Sequence, residues 1–222
     1  MTTNPLTPEI LFHLGPVPVS AAVATTWLLM SAMTLTAGAI MRRPRIAPGR
    51  AQAALEIVVE AIARQAEEIL GRDPWPFMPL LGTLFLFIAS ANLSAAVPGL
   101  APPTGHLETP AALALIVFFS VHWHGVRARG WRAYLRRYAE PTALMLPLNL
   151  LGEITRTFSL MIRLFGNMMS HEFVVAILLS LAGFLLPTPF MALGVLIGLV
   201  QAYIFAVLAA VYIGAGLGVV ET

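Results

Sequence analysis

Four polar side chains interrupt an otherwise apolar stretch of this chain. The segment SLMIRLFGNMMSHEF, residues 159–173, contains Arg163, Asn167, His171 and Glu172. An arginine at the middle of a bilayer costs about 2.5–3.5 kcal/mol even on the most lenient insertion scale, so it usually faces a bundle interior, a hydrated cavity or a partner. Arginine keeps its proton at every physiological pH, whereas histidine and glutamate can exchange theirs. The segment therefore combines a fixed charge with groups that can gain or lose a proton.

Helical spacing divides these groups between two directions. At about 100° per residue one stripe collects four polar side chains: Arg156, Arg163, Asn167 and Ser170. Glu172 faces the opposite side, so it does not form a simple ion pair with Arg163. This predicts a fixed charge facing one partner and a titratable group facing a hydrated path. The structural alternative is that Arg163 snorkels to the interface or pairs with Glu153 or Glu172.

The composition indicates a membrane protein. Of 222 residues, 58% are hydrophobic and 11% are charged, and the mean hydropathy is +0.82, which excludes an ordinary water-soluble domain. The net charge of +2 does not indicate nucleic-acid binding, and the absence of cysteine excludes disulfides and thiolate metal sites. No pattern of a basic start, a short apolar run and a cleavage site indicates a removed signal peptide.

The segments predict an all-α polytopic membrane protein with a single membrane domain. It has about five transmembrane helices and one amphipathic surface helix: the first span at 14–41, the surface helix at 51–72, the second span at 75–97, the third at 110–126, a long helix at 142–186 and a last helix at 190–219. Residues 148–186 and 190–220 would form helices of about 58 and 46 Å, longer than the ~30 Å hydrocarbon core. These two helices are therefore predicted to form a tilted hairpin.

Two arginine-rich stretches indicate the topology. They follow the first and third spans, at residues 42–50 and 126–137. Cytoplasmic loops carry an excess of basic residues, which places both stretches in the cytoplasm, the N-terminus outside and the C-terminus in the cytoplasm.

Two sequence blocks resemble subunit a of F-type rotary ATP synthases. IRLFGNMMSHE resembles the hallmark of the penultimate helix of that family, and VQAYIFAVLAAVYI resembles the hallmark of its last helix. The upstream LNLLGEITRTFSLMIR and the first-span GPVPVSAAVATTWLLM are similar to the family's corresponding regions, so the resemblance covers nearly the whole chain. It implies an ion-translocating stator subunit in the bacterial inner membrane, with two half-channels and no cofactor. Such a chain is a component of the two-sector ATP synthase and not an enzyme alone.

The resemblance also implies roles for individual residues. Arg163 would be the essential stator arginine. The ion path would use Asn92, Glu153, Asn167, His171, Glu172 and Gln201, and further candidates are Arg156, Ser170, Gly194 and Tyr212. Gln201 and Tyr212 fall on nearly the same face of the last helix. The implied partners are a ring of c-type membrane subunits, b-type peripheral stalk subunits, and a transported proton or sodium ion; no metal site is implied.

Four positions depart from the family pattern, and they leave the outer entrance of the ion path open: Ala95, His106, Glu108 and Thr157. A polytopic secondary transporter is the alternative function, since it would also place charges at mid-membrane. Such a transporter should show internal repeats with paired broken helices, and the sequence shows none. A zinc protease motif fails because Val175 occupies the position of the second histidine of His-Glu-x-x-His.

Overall fold

The computed structural model describes residues 10–14, 17–42, 49–96, 102–138, 144–182 and 187–218. Within them lie seven α-helices: α1 (Ala21–Met41), α2 (Arg50–Leu70), α3 (Met78–Leu93), α4 (Glu108–Arg129), α5 (Trp131–Tyr138), α6 (Met145–Ala182) and α7 (Pro187–Leu217). By length and apolar composition α1, α4, α6 and α7 are candidate membrane spans, and α3 is a shorter apolar helix. The predicted all-α polytopic membrane fold is confirmed.

A short antiparallel hairpin precedes α1. Its strands are β1 (Ile10–Leu14) and β2 (Val17–Ser20), with Leu14 opposite Val17. The helix therefore begins at Ala21, seven residues after the predicted start of the first span. Val17 precedes Pro18, and a residue before proline is disfavoured in the helical region. Ser20 then caps the helix, because its Oγ accepts a hydrogen bond from the Val23 N–H at 3.4 Å.

The amphipathic helix α2 packs its less polar face against the bundle. Ala66 and Leu70 are buried in the same core cluster as residues of α3, α4 and α7, and the hydroxyl of Tyr203 in α7 donates to Gln65 Oε1 at 2.8 Å. Gly71 ends the helix in the left-handed conformation, at φ 58°, where glycine carries no steric cost. The charged side of α2 remains exposed.

Helix α7 forms the centre of the bundle and contacts α2, α3, α4 and α6. Its buried residues are mostly small, including Ala202, Ala209 and Gly198, as is typical of helix packing in membranes. A Cβ atom built on Gly198 would lie 2.7 Å from the Asn92 Cβ in α3. The absence of a side chain at Gly198 therefore allows α3 and α7 to approach closely.

Helix α6 is attached to the bundle along one narrow side. Leu160, Leu164 and Met168, spaced four residues apart, are its buried apolar residues, and its neighbours are α4, α5 and α7. With 38 residues, α6 is about 57 Å long, and α7 with 31 residues is about 46 Å long. Neither fits upright inside a ~30 Å hydrocarbon core, so both must tilt or extend beyond it.

Candidate ion-translocation site

Arg163 lies between the two acidic residues of α6. At 1.5 Å per residue, Glu153 is about 15 Å away along the helix axis in one direction and Glu172 about 13 Å away in the other. Together these positions extend over about 28 Å, close to the thickness of the hydrocarbon core. Along the axis of α6, one fixed cation therefore lies between two carboxyl groups.

The arginine is on the open face of α6. Arg163 is exposed, as are the other three members of its stripe, Arg156, Asn167 and Ser170. No carboxylate of the described residues lies within ion-pair distance of Arg163; the ion pair found in α6 joins Arg156 Nη1 to Glu153 Oε2 at 3.4 Å. Among the described residues, Arg163 is thus a cation without a carboxylate counter-ion.

An amide pair joins α6 to α7 beside this face. Asn167 Nδ2 donates to Gln201 Oε1 at 2.7 Å, and Gln201 is only 3% exposed. The Gln201 Nε2 is buried with no hydrogen-bond acceptor among the described residues. Leaving a buried donor unpaired costs about 1–3 kcal/mol; the part of Gln201 in the ion path stays a prediction.

Two further contacts extend this amide pair into a polar seam between α6 and α7. The Arg156 guanidinium lies over the Tyr212 ring, 5.9 Å from its centroid, a distance at which the ring attracts the cation. In the other direction along α6, the His171 imidazole occupies the space that a side chain at Gly194 would need. The seam consists of three pairs of residues: Arg156–Tyr212, Asn167–Gln201 and His171–Gly194.

Glu172 lies against a turn that precedes α4. A Cβ atom built on Gly105, in the 3₁₀ turn Pro103–Gly105, would lie 2.7 Å from Glu172 Oε1. The turn is held in place by a hydrogen-bond chain, in which Thr104 Oγ1 donates to Asn92 Oδ1 at 2.7 Å and Asn92 Nδ2 donates to the Gly198 carbonyl at 2.8 Å. Glu172 therefore has a different neighbourhood from that of Arg163, as its helical position predicts.

The chain closely matches known proteins over almost its full length. The family described as ATP synthase A chain matches residues 23–214. The chain belongs to this family. It is 56% identical to ATP synthase subunit a 2 of a Bradyrhizobium species, covering 98% of both chains. It is 46% identical to ATP synthase subunit a 2 of Pelobacter propionicus, covering 97% of this chain and 94% of the relative. It is 47% identical to ATP synthase subunit a of Albidiferax ferrireducens, covering 93% and 91%.

In this member of the ATP synthase A chain family, Asn92 holds several elements of the bundle together. Asn92 is 2% exposed, and both ends of its amide are hydrogen-bonded, to Thr104 and to the Gly198 backbone. It therefore ties α3, α7 and the 3₁₀ turn together beside Glu172. Its part in the ion path stays a prediction.

The structure also shows where the four positions that depart from the family pattern lie. Ala95 lies in the 3₁₀ turn Ser94–Ala96 that follows α3, and His106 directly follows the turn that contacts Glu172. Glu108 accepts a hydrogen bond from Ser20 Oγ at 3.0 Å. Thr157 donates to the Glu153 carbonyl at 3.1 Å, which satisfies its hydroxyl inside α6.

Sequence reasoning missed Thr104 and Gly105. Thr104 is fully buried, and the Gly105 Cα approaches Glu172, yet the sequence PPTG indicates only a turn. Both residues matter through the contact between their turn and Glu172 of α6, which lies far away in the sequence. No local pattern carries that information.

We expect Gly105→Ala to reduce ion flux severalfold while the complex still assembles. The new methyl group would displace the Glu172 carboxyl from the turn, because a Cβ there lies 2.7 Å from Oε1, and small misplacements at a site can cost about a hundredfold in rate. ATP-driven pumping in inverted vesicles, normalised to assembled complex, measures the effect. Gly82→Ala is the matched control, since a Cβ at Gly82 meets nothing within 4 Å. Unchanged pumping in Gly105→Ala would show that the contact is unimportant.

Proposed function

We propose that this chain is the ion-translocating stator subunit of the membrane sector of a bacterial F-type ATP synthase. The observation that carries this proposal is the exposed Arg163 on α6, without a carboxylate partner among the described residues and lying between Glu153 and Glu172. Relatives over nearly the full length are named ATP synthase subunit a, and membership of the ATP synthase A chain family supports the same function. No observation favours the alternative of a secondary transporter.

The proposed partner of Arg163 is a ring of membrane subunits, each with one carboxyl group. A ring carboxyl can move through lipid only while a bound ion neutralises it, because ionising it in hydrocarbon is too costly. When the carboxyl reaches Arg163, the guanidinium stabilises the ionised form and the ion is released. Because Arg163 is a permanent cation, it also blocks ions from passing directly across the stator.

Two half-channels then lead to the ring from opposite sides. Glu172 and His171 belong to one of them, Glu153 belongs to the other, and the Asn167–Gln201 pair lies between the two ends of α6. An ion enters through one half-channel, travels with the ring for almost a full turn, and leaves through the other. Each unit charge that crosses the membrane releases about 2.3 kcal/mol per 100 mV, which the rotating ring couples to ATP synthesis or hydrolysis.

Single cysteines test whether the two half-channels open on opposite sides. The chain has no cysteine of its own, so Glu153→Cys and Glu172→Cys each carry one thiol. We expect a membrane-impermeant thiol reagent to label Glu153→Cys from the cytoplasmic side and Glu172→Cys from the outside. Phe158→Cys, at an exposed apolar position between the two acidic residues of the same helix, is the control and should stay unlabelled. Labelling of both acidic positions from one side would contradict the proposal.

Flux measurements on the same complex identify the transported ion. Carboxyl, imidazole and amide groups can relay protons or ligate a sodium ion, so the residues of this chain fit both. Inverted vesicles supplied with ATP should either acidify or take up labelled sodium, and removal of Arg163 should stop the ATP-driven part of whichever flux is found. Because both assays use the same vesicles, the assay that gives a signal identifies whether the complex carries protons or sodium ions.

We also propose that the exposed side of α2 contacts a b-type peripheral stalk subunit at the cytoplasmic surface. The buried side of α2 is already covered by the bundle, through Ala66 and Leu70. Its exposed residues include Glu56, Glu60 and Arg64. This charged surface suits a protein partner better than the hydrocarbon of the bilayer, where charges are costly.

We expect Glu60→Cys and Arg64→Cys to be labelled by impermeant thiol reagents from the cytoplasmic side only. A short thiol crosslinker should join them to a stalk subunit in the intact complex. Leu35→Cys, exposed on the apolar helix α1, serves as a control that lies in the membrane. Labelling from the outside would show that the orientation of the chain in the membrane is the reverse of the predicted one. Labelling from the cytoplasmic side without any crosslink would favour a surface helix that contacts lipid alone.

A further inference from the structure

A groove of about 460 Å³ lies between α1, α3 and α4. This volume falls within the range of about 300–1,000 Å³ that is usual for small-molecule sites. Its walls are mainly apolar, with Met30 and Met33 from α1, Leu84 and Phe87 from α3, and Leu113 and Ile116 from α4. Helix α1 is otherwise largely exposed, with Ala22 as its buried residue, and it meets α3 where the Ser90 hydroxyl donates to Met33 Sδ at 3.1 Å.

Three of the four threonine hydroxyl groups along this groove are already used, and the fourth, Thr109, lies next to Glu108. Thr26 donates to the Ala22 carbonyl and Thr34 to the Met30 carbonyl, both at 2.8 Å, and Thr83 donates to Leu80 at 3.0 Å. These are hydrogen bonds within each residue's own helix. The walls therefore favour a hydrocarbon chain over a polar ligand.

One end of the groove carries a carboxylate. Glu108 lines the groove at the first residue of α4, and its Oε2 accepts a hydrogen bond from Ser20 Oγ just before α1. This carboxylate would attract a cationic group and repel a phosphate that came equally close. The groove is thus apolar along its length and negatively charged at one end.

The length of the groove matches one leaflet of a bilayer. Its lining on α1 runs from Val23 to Thr34, which is about 16 Å along the helix axis, and half of a ~30 Å hydrocarbon core is about 15 Å. A transmembrane helix of another subunit would need a groove across both leaflets. Spread over this length, 460 Å³ gives a mean cross-section of about 28 Å², roughly a third of that of an α-helix 10 Å across.

We propose that this groove binds a membrane phospholipid with an amine in its head group, with one acyl chain between α1, α3 and α4 and the amine on Glu108. The chain fills the space that keeps α1 apart from α3 and α4. The amine supplies the positive charge that Glu108 faces at the edge of the leaflet. The lipid thereby connects the first helix to the bundle that holds the ion-translocation site.

Photolabelling of the purified complex tests this proposal. The complex is placed in nanodiscs of phosphatidylethanolamine and phosphatidylglycerol, with a trace of either lipid carrying a diazirine near the end of one acyl chain. We expect the phosphatidylethanolamine probe to give adducts on the α1 and α3 walls at about five times the yield of the phosphatidylglycerol probe, the ratio that corresponds to about 1 kcal/mol for one charge near the surface. Adducts at Phe119, which is 65% exposed near the middle of α4, provide the reference for bulk lipid.

Three variants separate the parts of the proposal. Ala112→Trp fills the groove and should remove most wall adducts, whereas Leu115→Trp, on an exposed part of α4 outside the groove, should not. Glu108→Gln should make the two probes equal. Equal wall labelling by the two probes in the unmodified complex would overturn the proposal, as would wall adducts that persist in Ala112→Trp. A crosslink from Ala112→Cys to another subunit would also overturn it, by identifying a protein in the groove.

Discussion

Replacement of Arg163 by alanine is expected to abolish ATP-driven ion pumping while the chain still inserts and the complex still assembles. The side chain is exposed and has no carboxylate partner among the described residues, so its removal leaves the packing of α6 at Leu160 and Leu164 intact. In the proposed mechanism, what is lost is the fixed cation that stabilises an ionised ring carboxyl at mid-membrane. Pumping in inverted vesicles, normalised to assembled complex, should fall to background.

Arg163→Lys should also lose most of its pumping. Lysine keeps the charge but replaces a planar fork of donors with a compact, strongly hydrated ammonium, which cannot bind a carboxylate in the same bidentate geometry. A large loss in both variants therefore assigns the role to the guanidinium and not to charge alone. Ile162→Ala, at the neighbouring exposed position, is the matched control for changes in the surface of α6.

Passive ion flow gives a second readout for Arg163. If the arginine prevents direct passage between the half-channels, Arg163→Ala vesicles should leak ions without ATP, and the leak should be absent from Ile162→Ala vesicles. A variant that has merely lost a structural contact would lose pumping in proportion to assembly and would not leak. Normal pumping by assembled Arg163→Ala complex would refute the assignment.

The sequence was sufficient to predict the features that depend on helical period. The exposed stripe of Arg156, Arg163, Asn167 and Ser170 follows directly from spacing along one helix, and the structure exposes all four. The great length of α6 and α7 followed from two long segments without proline, residues 148–186 and 190–220. Both predictions rest on the geometry of a single helix, which does not depend on contacts with other segments of the chain.

Features that depend on contacts between distant segments were not predictable. The β-hairpin Ile10–Leu14 and Val17–Ser20 occupies residues that are as apolar as a membrane span, and composition alone does not separate the two. The contact of Gly105 with Glu172 joins a turn to a helix more than sixty positions later in the chain. The seam pairs between α6 and α7 likewise required the relative position of the two helices, although the face of α7 that carries Gln201 and Tyr212 could be predicted from spacing.

His171→Gly and Gly194→His are each expected to lower ion flux severalfold. The first removes an imidazole that can exchange protons near physiological pH beside Glu172. The second adds a ring to a position where the His171 ring already occupies the space of the missing side chain, and such overpacking typically costs about 1–3 kcal/mol. Pumping rates in inverted vesicles, normalised to assembled complex, measure both losses.

The double variant His171→Gly with Gly194→His should recover much of the lost flux. Removal of the ring from α6 frees the space that the new ring on α7 needs, so the total volume at the helix crossing is conserved and one imidazole remains in the seam. The structure supports this exchange because the two positions face each other directly. Recovery would show that the site requires an imidazole at this crossing, whichever helix supplies it.

A second double variant separates the chemistry of the imidazole from the filling of space. His171→Gly with Gly194→Ala also removes the steric conflict, since the added methyl group meets no ring, but it leaves the seam without an imidazole. Gly194→Ala alone should impair assembly or flux, because its Cβ would overlap the His171 ring. If packing were the only function of His171, the alanine double variant would recover as well as the histidine double variant. We expect recovery with histidine alone, and a histidine double variant no better than the worse single variant would show that the two positions do not share one site.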